Sequence, residues 1–302
     1  LNKTKTGKVI SVIGLSLFKN RSTPTTRQQL KQLQQLQQKT HTLTHPPLQI
    51  TGSGLPFIWM HGMLNSVESD SLYSLIDFDR LPASVSLVRY DTCGKLVNGD
   101  YSWNATTDEL FRIADAQKYG SMMLGGCSMG SGTALHAAVR QPERVKALIL
   151  VTPPPAWEMR EGVKAVYRKI ASKAECDIVP EFLKRLISQN QDPPDFFEEE
   201  HPGTRRKLLG HRLSFDSRYY PQIYRGGAAS DLPDRYKIAA LKVPTLIVAH
   251  LNDENHPLEI AQELHVLIKG SVLVTVSDYP EYLLLQETVS DFVHSVTSDN
   301  KS

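Results

Sequence analysis

Ser128 stands at the centre of Gly126-Cys127-Ser128-Met129-Gly130, a G-x-S-x-G sequence that sets a hydroxyl between two glycines. A serine becomes a nucleophile when its oxygen is lifted clear of the backbone and a base takes its proton. The flanking residues favour the first condition. The apolar run 121–124 reads as a strand and leads directly into Gly125-Gly126, and the small, helix-forming residues from Met129 onward stop at Pro142. A sharp strand-to-helix turn raises the serine above a sheet, and glycines tolerate the strained backbone and close approach this needs. The helix start then points free N–H groups at any oxyanion formed beside it. The same pattern also suits a plain small-residue turn that packs a helix on a strand. By itself it marks a poised hydroxyl and no particular reaction.

Little else in the chain offers chemistry. There is no HExxH, no Walker-A lysine and no GxGxxG, so no cofactor and no metal is implied. Cys93, Cys127 and Cys176 are widely spaced, odd in number and outside any CxxC pattern, which argues against a disulfide framework or a zinc site and suits a reducing compartment. A formal net charge of +2 over 302 residues, without a Lys/Arg block, gives no basis for nucleic-acid binding. No apolar run reaches the ~18 residues of a membrane span. Residues 9–18 follow Lys3, Lys5 and Lys8 in the manner of a signal peptide, but Ser11, Gly14 and Ser16 interrupt them and no A-x-A site follows. The expected location is the cytoplasm.

The elements that must position Ser128 are legible in outline. Residues 1–45 form a polar, Gln-rich segment in which Leu30, Leu33 and Leu36 make one helical stripe. It carries no chemistry, and a helix for a partner or a homo-oligomer is its functional alternative. Short runs at 56–60, 85–90, 121–124, 147–151, 245–249 and 272–276 are apolar on consecutive positions, as strands are when both sheet faces are covered. Between them, Thr106-Thr107-Asp108-Glu109 offers a capping box for a helix over 110–119, residues 129–141 read as helix, and Pro257 opens a helix over 258–268. Alternating strand and helix predict an α/β fold with a mostly parallel, doubly wound sheet. Residues 153–240 break the rhythm, with helical stretches at 163–173 and 179–188 and an acidic run at 198–200. They read as a helical cap inserted into a core of 46–152 and 241–302, lying over the C-terminal strand ends where open sheets bind ligands. The aromatics Trp157, Tyr167, Phe196, Phe197, Tyr219 and Tyr220 would line a pocket there or form the cap's own core.

Over residues 47–295 the chain resembles the α/β-hydrolase superfamily. The resemblance is carried by Gly125-Gly126-Cys127-Ser128-Met129-Gly130-Ser131-Gly132-Thr133-Ala134, then Pro142-Glu143-Arg144-Val145 and Leu148-Ile149-Leu150-Val151. Upstream, Leu55-Pro56-Phe57-Ile58-Trp59-Met60-His61-Gly62-Met63 looks like the strand and His-Gly turn that complete an oxyanion hole. The resemblance implies that the backbone N–H groups of Met63 and Met129 are its donors and that His61 shapes the turn. Tyr90-Asp91-Thr92-Cys93-Gly94 is a degenerate form of the family's Asp-x-Arg-Gly-x-Gly segment, with Asp91 in a structural, turn-capping place.

The family's order is serine, acid, histidine. Asp253, in His250-Leu251-Asn252-Asp253 after the next-to-last strand, stands where the acid belongs. The histidine should follow the last strand, but that loop reads Ser277-Asp278-Tyr279-Pro280-Glu281-Tyr282 and has none. Three readings stay open. His256, three residues after Asp253, serves as base from the acid's own loop; or Glu281 or Asp278 works beside the serine; or the site has lost hydrolytic power. The function implied is hydrolysis of an ester, thioester or lactone of a small organic molecule through an acyl-enzyme on Ser128. The alternative is a non-hydrolytic, ligand-binding or regulatory member of the fold.

Overall fold

Strand and helix alternate from residue 48, and the computed structural model, which describes residues 48–92, 96, 99–175 and 192–298, builds a seven-stranded sheet from them. The strands are β1 (Leu48–Gly52), β2 (Leu55–Met60), β3 (Val85–Tyr90), β4 (Met122–Cys127), β5 (Val145–Val151), β6 (Thr245–His250) and β7 (Val272–Val276). Their order is β1-β3-β2-β4-β5-β6-β7, with β1 antiparallel to β3 and the other neighbours parallel. This is the mostly parallel α/β sheet that the alternation predicts. Side chains alternate between two cores, Ile58, Met60, Leu124 and Leu148 on one face and Phe57, Trp59, Met123 and Ile149 on the other. Both faces are covered, which is why these strands read as continuous apolar runs.

The helices are α1 (Val67–Leu72), α2 (Trp103–Ala116), α3 (Met129–Arg140), α4 (Arg160–Ala174), α5 (Asp195–Glu200), α6 (Thr204–Ser214), α7 (Tyr220–Ala228), α8 (Arg235–Ala239), α9 (Leu258–Leu267) and α10 (Tyr279–Ser298). Between β5 and β6 the described residues form helices α4 to α8 and no strand. The Gln-rich segment 1–45 and the helix expected over 179–188 lie outside the described residues.

Two expectations shift at element boundaries. The capping box expected at 106–109 lies inside α2, which begins at Trp103 because Ser102 is extended and its hydroxyl accepts the Ala105 N–H at 3.3 Å. Thr106 and Thr107 are buried instead, and their hydroxyls donate to the Trp103 carbonyl at 3.2 and 2.6 Å. The strand expected over 121–124 continues to Cys127, because Gly125 and Gly126 let neighbouring groups approach it. A Cβ on Gly125 would meet the Phe57 ring at 2.8 Å, and one on Gly126 the Met60 carbonyl oxygen at 2.7 Å.

Gly130, in the first turn of α3, is packed more tightly still, with the Met60 backbone where a Cβ would go. Gly162 in α4 has nothing within 4 Å of that place. Gly130→Ala is therefore expected to lower the unfolding free energy by about 1–3 kcal/mol, seen as a lower urea midpoint at unchanged m-value. Gly162→Ala should be neutral or slightly stabilising. Equal midpoints for the two variants would mean that α3 is not held against β2 as described.

Candidate active site

Ser128 takes the strained conformation its sequence context predicts, with φ 52° and ψ −109°. The left-handed region costs a non-glycine residue about 1–3 kcal/mol and persists only where surrounding structure enforces it. Here the Ser128 N–H donates to the Val151 carbonyl at 3.0 Å, extending the β4–β5 ladder by one bond. Its carbonyl accepts the Gly132 N–H at 3.1 Å and the Ser131 hydroxyl at 2.7 Å, which starts α3. The serine is thus fixed between the last bond of a sheet and the first of a helix. Met129 is the first residue of α3, so its N–H has no carbonyl acceptor in the preceding turn.

Met63 belongs to a turn from Gly62 to Asn65, closed by the Asn65 N–H on the Gly62 carbonyl at 3.2 Å. A Cβ built on Gly62 would lie 3.8 Å from Ser128 Cβ, so the turn abuts the serine. His61 is buried and fully engaged beneath it. Its Nε2 accepts the Thr92 N–H at 3.0 Å, so its proton is on Nδ1, which donates to the Gly62 carbonyl at 2.8 Å. His61 ties two loops together and is not placed as a base. Asp91 likewise accepts the Val67 N–H at 2.8 Å, at the start of α1.

The loop after β6 brings the remaining candidates to Ser128. Asp253 Oδ1 accepts the N–H groups of Asn255 at 2.9 Å and His256 at 3.2 Å, which folds the loop back over itself. Asp253 Oδ2 lies 2.6 Å from His256 Nδ1, and His256 Nε2 lies 2.8 Å from Ser128 Oγ. Burial raises the Asp253 carboxyl, but its interactions with His256, above all the hydrogen bond, together with the Asn255 N–H and the nearby His250 ring outweigh it and hold the group below the ordinary aspartate value. An ionised carboxylate only accepts, so the proton between Asp253 and His256 sits on Nδ1 and leaves the Nε2 lone pair facing the serine hydroxyl. An imidazole so oriented can take the hydroxyl proton.

The loop after β7 is occupied differently. Glu281 Oε2 accepts the Ser277 N–H at 2.7 Å and the Ser277 hydroxyl at 2.8 Å, while Asp278 Oδ1 accepts the Glu281 N–H at 2.8 Å. Both carboxylates cap the start of α10, so neither is held as a base, and that reading of the loop is set aside.

A cavity of about 380 Å³ lies beside His256 and Asp253, lined also by Cys127, Tyr73, Asp70 and Phe196. Its wall mixes charged and polar groups with apolar ones such as Leu75, Phe196 and Leu208. Of the aromatics considered, Phe196 lines it, whereas Tyr167 and Tyr220 pack against Tyr224 with ring centroids 5.4 and 6.4 Å apart. Asp70, Tyr73, Asn65 and Arg212 reach the cavity from distant segments and have no local sequence signal. Among them Asp70 carries a readable signal only in space, its carboxylate accepting the Trp59 indole N–H at 2.8 Å.

The family model described as the alpha/beta hydrolase fold matches residues 105–287, more than half of the chain. The AB hydrolase superfamily protein YisY of Bacillus subtilis (strain 168) is 28% identical over 237 residues, covering 74% of this chain and 83% of that protein. Among solved structures, a thermophilic esterase from Thermogutta terrifontis superposes with a TM-score of 0.69 at 21% identity, over 83% of this chain and 93% of its own. The enol-lactonase from Burkholderia xenovorans LB400 gives 0.68 at 19% identity, over 82% and 96%. Likeness at that identity concerns the fold.

Burial pushes the Asp70 carboxyl up to about 6, with the electrostatic effect of the nearby His61 ring and the Trp59 hydrogen bond opposing it. A carboxyl raised in the folded state contributes stability that is full below its unfolded value and is lost as pH rises through its folded one. The loss therefore falls between about pH 4 and the folded value of about 6. Asp70→Asn keeps an acceptor for Trp59 and removes the charge. We expect it to raise stability at pH 7 by about 1–3 kcal/mol and to change little below about pH 4. Denaturant midpoints across that range would check this, and a variant less stable at pH 7 than at pH 4 relative to wild type would contradict it.

Proposed function

The chain belongs to the alpha/beta hydrolase fold family, and on that premise we propose that it is a serine hydrolase. Its substrate would be an ester, thioester or lactone of a small organic molecule. The observation that carries this reading is the continuous relay from Ser128 Oγ through His256 Nε2 and Nδ1 to Asp253 Oδ2, at 2.8 and 2.6 Å. The alternative of a catalytically silent member rested on an absent base, and the His256 contact weighs against it.

In this reading Ser128 Oγ attacks the carbonyl carbon as its proton passes to His256 Nε2. The carbonyl π pair moves onto oxygen, and the resulting oxyanion is held by the N–H groups of Met63 and Met129. Each such donor is worth about 2.7–4 kcal/mol of barrier where measured in other enzymes. Asp253 keeps the imidazole in the right tautomer and stabilises the cation formed. The tetrahedral intermediate collapses, the leaving group departs with the proton from His256, and an acyl-Ser128 remains. Water then attacks that acyl carbon, giving its proton to His256, and the second collapse releases the acid and returns the proton to Ser128 Oγ. The described residues 153–175 and 192–240 act as a cap over the C-terminal strand ends.

A fluorophosphonate probe should label the wild type at Ser128 and fail on Ser128→Ala. With a p-nitrophenyl ester, His256→Ala should lower kcat by about 10⁶-fold and Asp253→Asn by about 10⁴-fold, as loss of the corresponding relay member does elsewhere. Glu281→Gln should leave kcat within about twofold, since general-base loss is worth far more. An unlabelled wild type, or a His256→Ala variant as active as wild type, would sink the proposal.

A further inference from the structure

The turn that presents Met63 is strained and is gripped from both ends. Leu64 has φ 61°, in a place that suits glycine. The left-handed conformation is unfavourable for a leucine, so the turn relaxes unless its neighbours hold it. His61 holds the entry by donating to the Gly62 carbonyl. The exit is held by helix α6, from the segment between β5 and β6. Arg212 Nη2 donates to Asn65 Oδ1 at 3.3 Å, and His211 Nε2 lies 2.8 Å from Ser66 Oγ. Consecutive residues of one helix thus grip the consecutive residues that leave the turn.

Each gripping group is itself fixed. The Arg212 side chain is 7% exposed and paired with Asp192 Oδ2 at 3.0 Å, and its carbonyl accepts the Tyr220 hydroxyl at 3.1 Å. Glu68 Oε2 lies 3.6 Å from His211 Nδ1, which favours the proton there and leaves Nε2 to accept the Ser66 hydroxyl. Ser66 Oγ also accepts the Ser69 N–H at 3.1 Å and so caps α1. Ser66, His211 and Glu68 repeat the connectivity of Ser128, His256 and Asp253. The Ser66 oxygen, however, is buried and committed to a helix start, which makes this a clamp and not a second nucleophile. A second touch comes from α7, where a Cβ on Gly227 would lie 3.6 Å from Met63 Sδ.

We infer that His211 and Arg212 are positioning residues that hold the Met63 N–H toward Ser128, so that the oxyanion hole is complete only when α6 is seated on the core. The inference rests on the reading of Ser128 as nucleophile, and it couples cap docking to transition-state stabilisation instead of to substrate affinity.

Two measurements on the full chain test it. In hydrogen–deuterium exchange, His211→Leu and Arg212→Met should speed exchange of residues 61–67 by about tenfold or more, as lost local protection does, while residues 122–128 keep their wild-type rates. With p-nitrophenyl acetate the same variants should lower kcat by about tenfold to a hundredfold with KM within about twofold. Affinity for an aryl trifluoromethyl ketone, whose adduct carries an oxyanion, should fall by the same factor. The pH profile should not move, because His256 is untouched. His211→Gln, which can still offer a side-chain amide to Ser66, should recover part of both losses. Should Arg212→Met fail to fold, the His211 pair decides. Unchanged exchange over residues 61–67, or a loss confined to KM, overturns the inference. A wild type that neither turns over nor labels would sink the hydrolase reading alone, and exchange would still decide the clamp.

Discussion

The Asp253 carboxylate is the group on which the site's geometry depends. It accepts two backbone N–H groups on one oxygen and the His256 imidazole on the other. The first pair folds the loop, and the third bond sets the tautomer and direction of the ring. Hydrogen bonds to a charged group contribute about 1.5–3 kcal/mol each, enough to hold a four-residue loop against its conformational entropy. The carboxylate is in turn placed by β6, whose Leu246, Ile247 and Val248 are fully buried between β5 and β7. A rigid strand thus fixes one anion, and that anion fixes the rest of the loop.

Strain gathers around the same sheet edge. Ser128 has φ 52°, Leu64 61° and Thr152 40°, the last a β-branched residue for which this region is especially unfavourable. Thr152 is held by its N–H on the Val248 carbonyl at 2.8 Å and by its hydroxyl beside Cys127 Sγ at 3.3 Å. Burial pushes the Cys127 thiol up to about 12, so it stays neutral at ordinary pH and supplies packing beside Ser128. Strained residues need stiff surroundings, and the two cores on either face of β4 and β5 provide them.

The parts of the molecule legible in sequence are those determined by near neighbours. The elbow is one, because strand, glycines and helix are contiguous. The inner strands are another, because burial on both faces writes itself as unbroken apolar runs. Strand β1 escaped notice, since an edge strand with mostly exposed side chains has no such signature. The start of α2 is ambiguous in sequence because two capping sequences lie close together, and Ser102 prevails. Asp278-x-x-Glu281 is itself a helix-start pattern, and reading it so would have removed both carboxylates from the list of bases. That His256 faces Ser128 was visible only as a spacing from Asp253, because the contact spans 128 positions. Asn65 and Arg212, 147 positions apart, gave no local sign at all.

A histidine on the acid's own loop is physically reasonable once strand spacing is considered. Adjacent strands lie ~4.8 Å apart, so the end of β6 is ~10 Å from that of β4 and the end of β7 ~14 Å. Reaching Ser128 from beyond β7 takes a longer connection than reaching it from beyond β6. In this chain β7 passes into α10 through Ser277 and Asp278, a connection too short for that span. On the proposed reading, moving the base to the β6 loop leaves the relative placement of acid and base to a few covalently linked residues and three hydrogen bonds. Only one long-range distance, from Ser128 to His256, then has to be set by tertiary packing. The consequence is a shared fate: any motion that carries Asp253 away from the serine carries His256 with it, so the relay is made or broken as a unit.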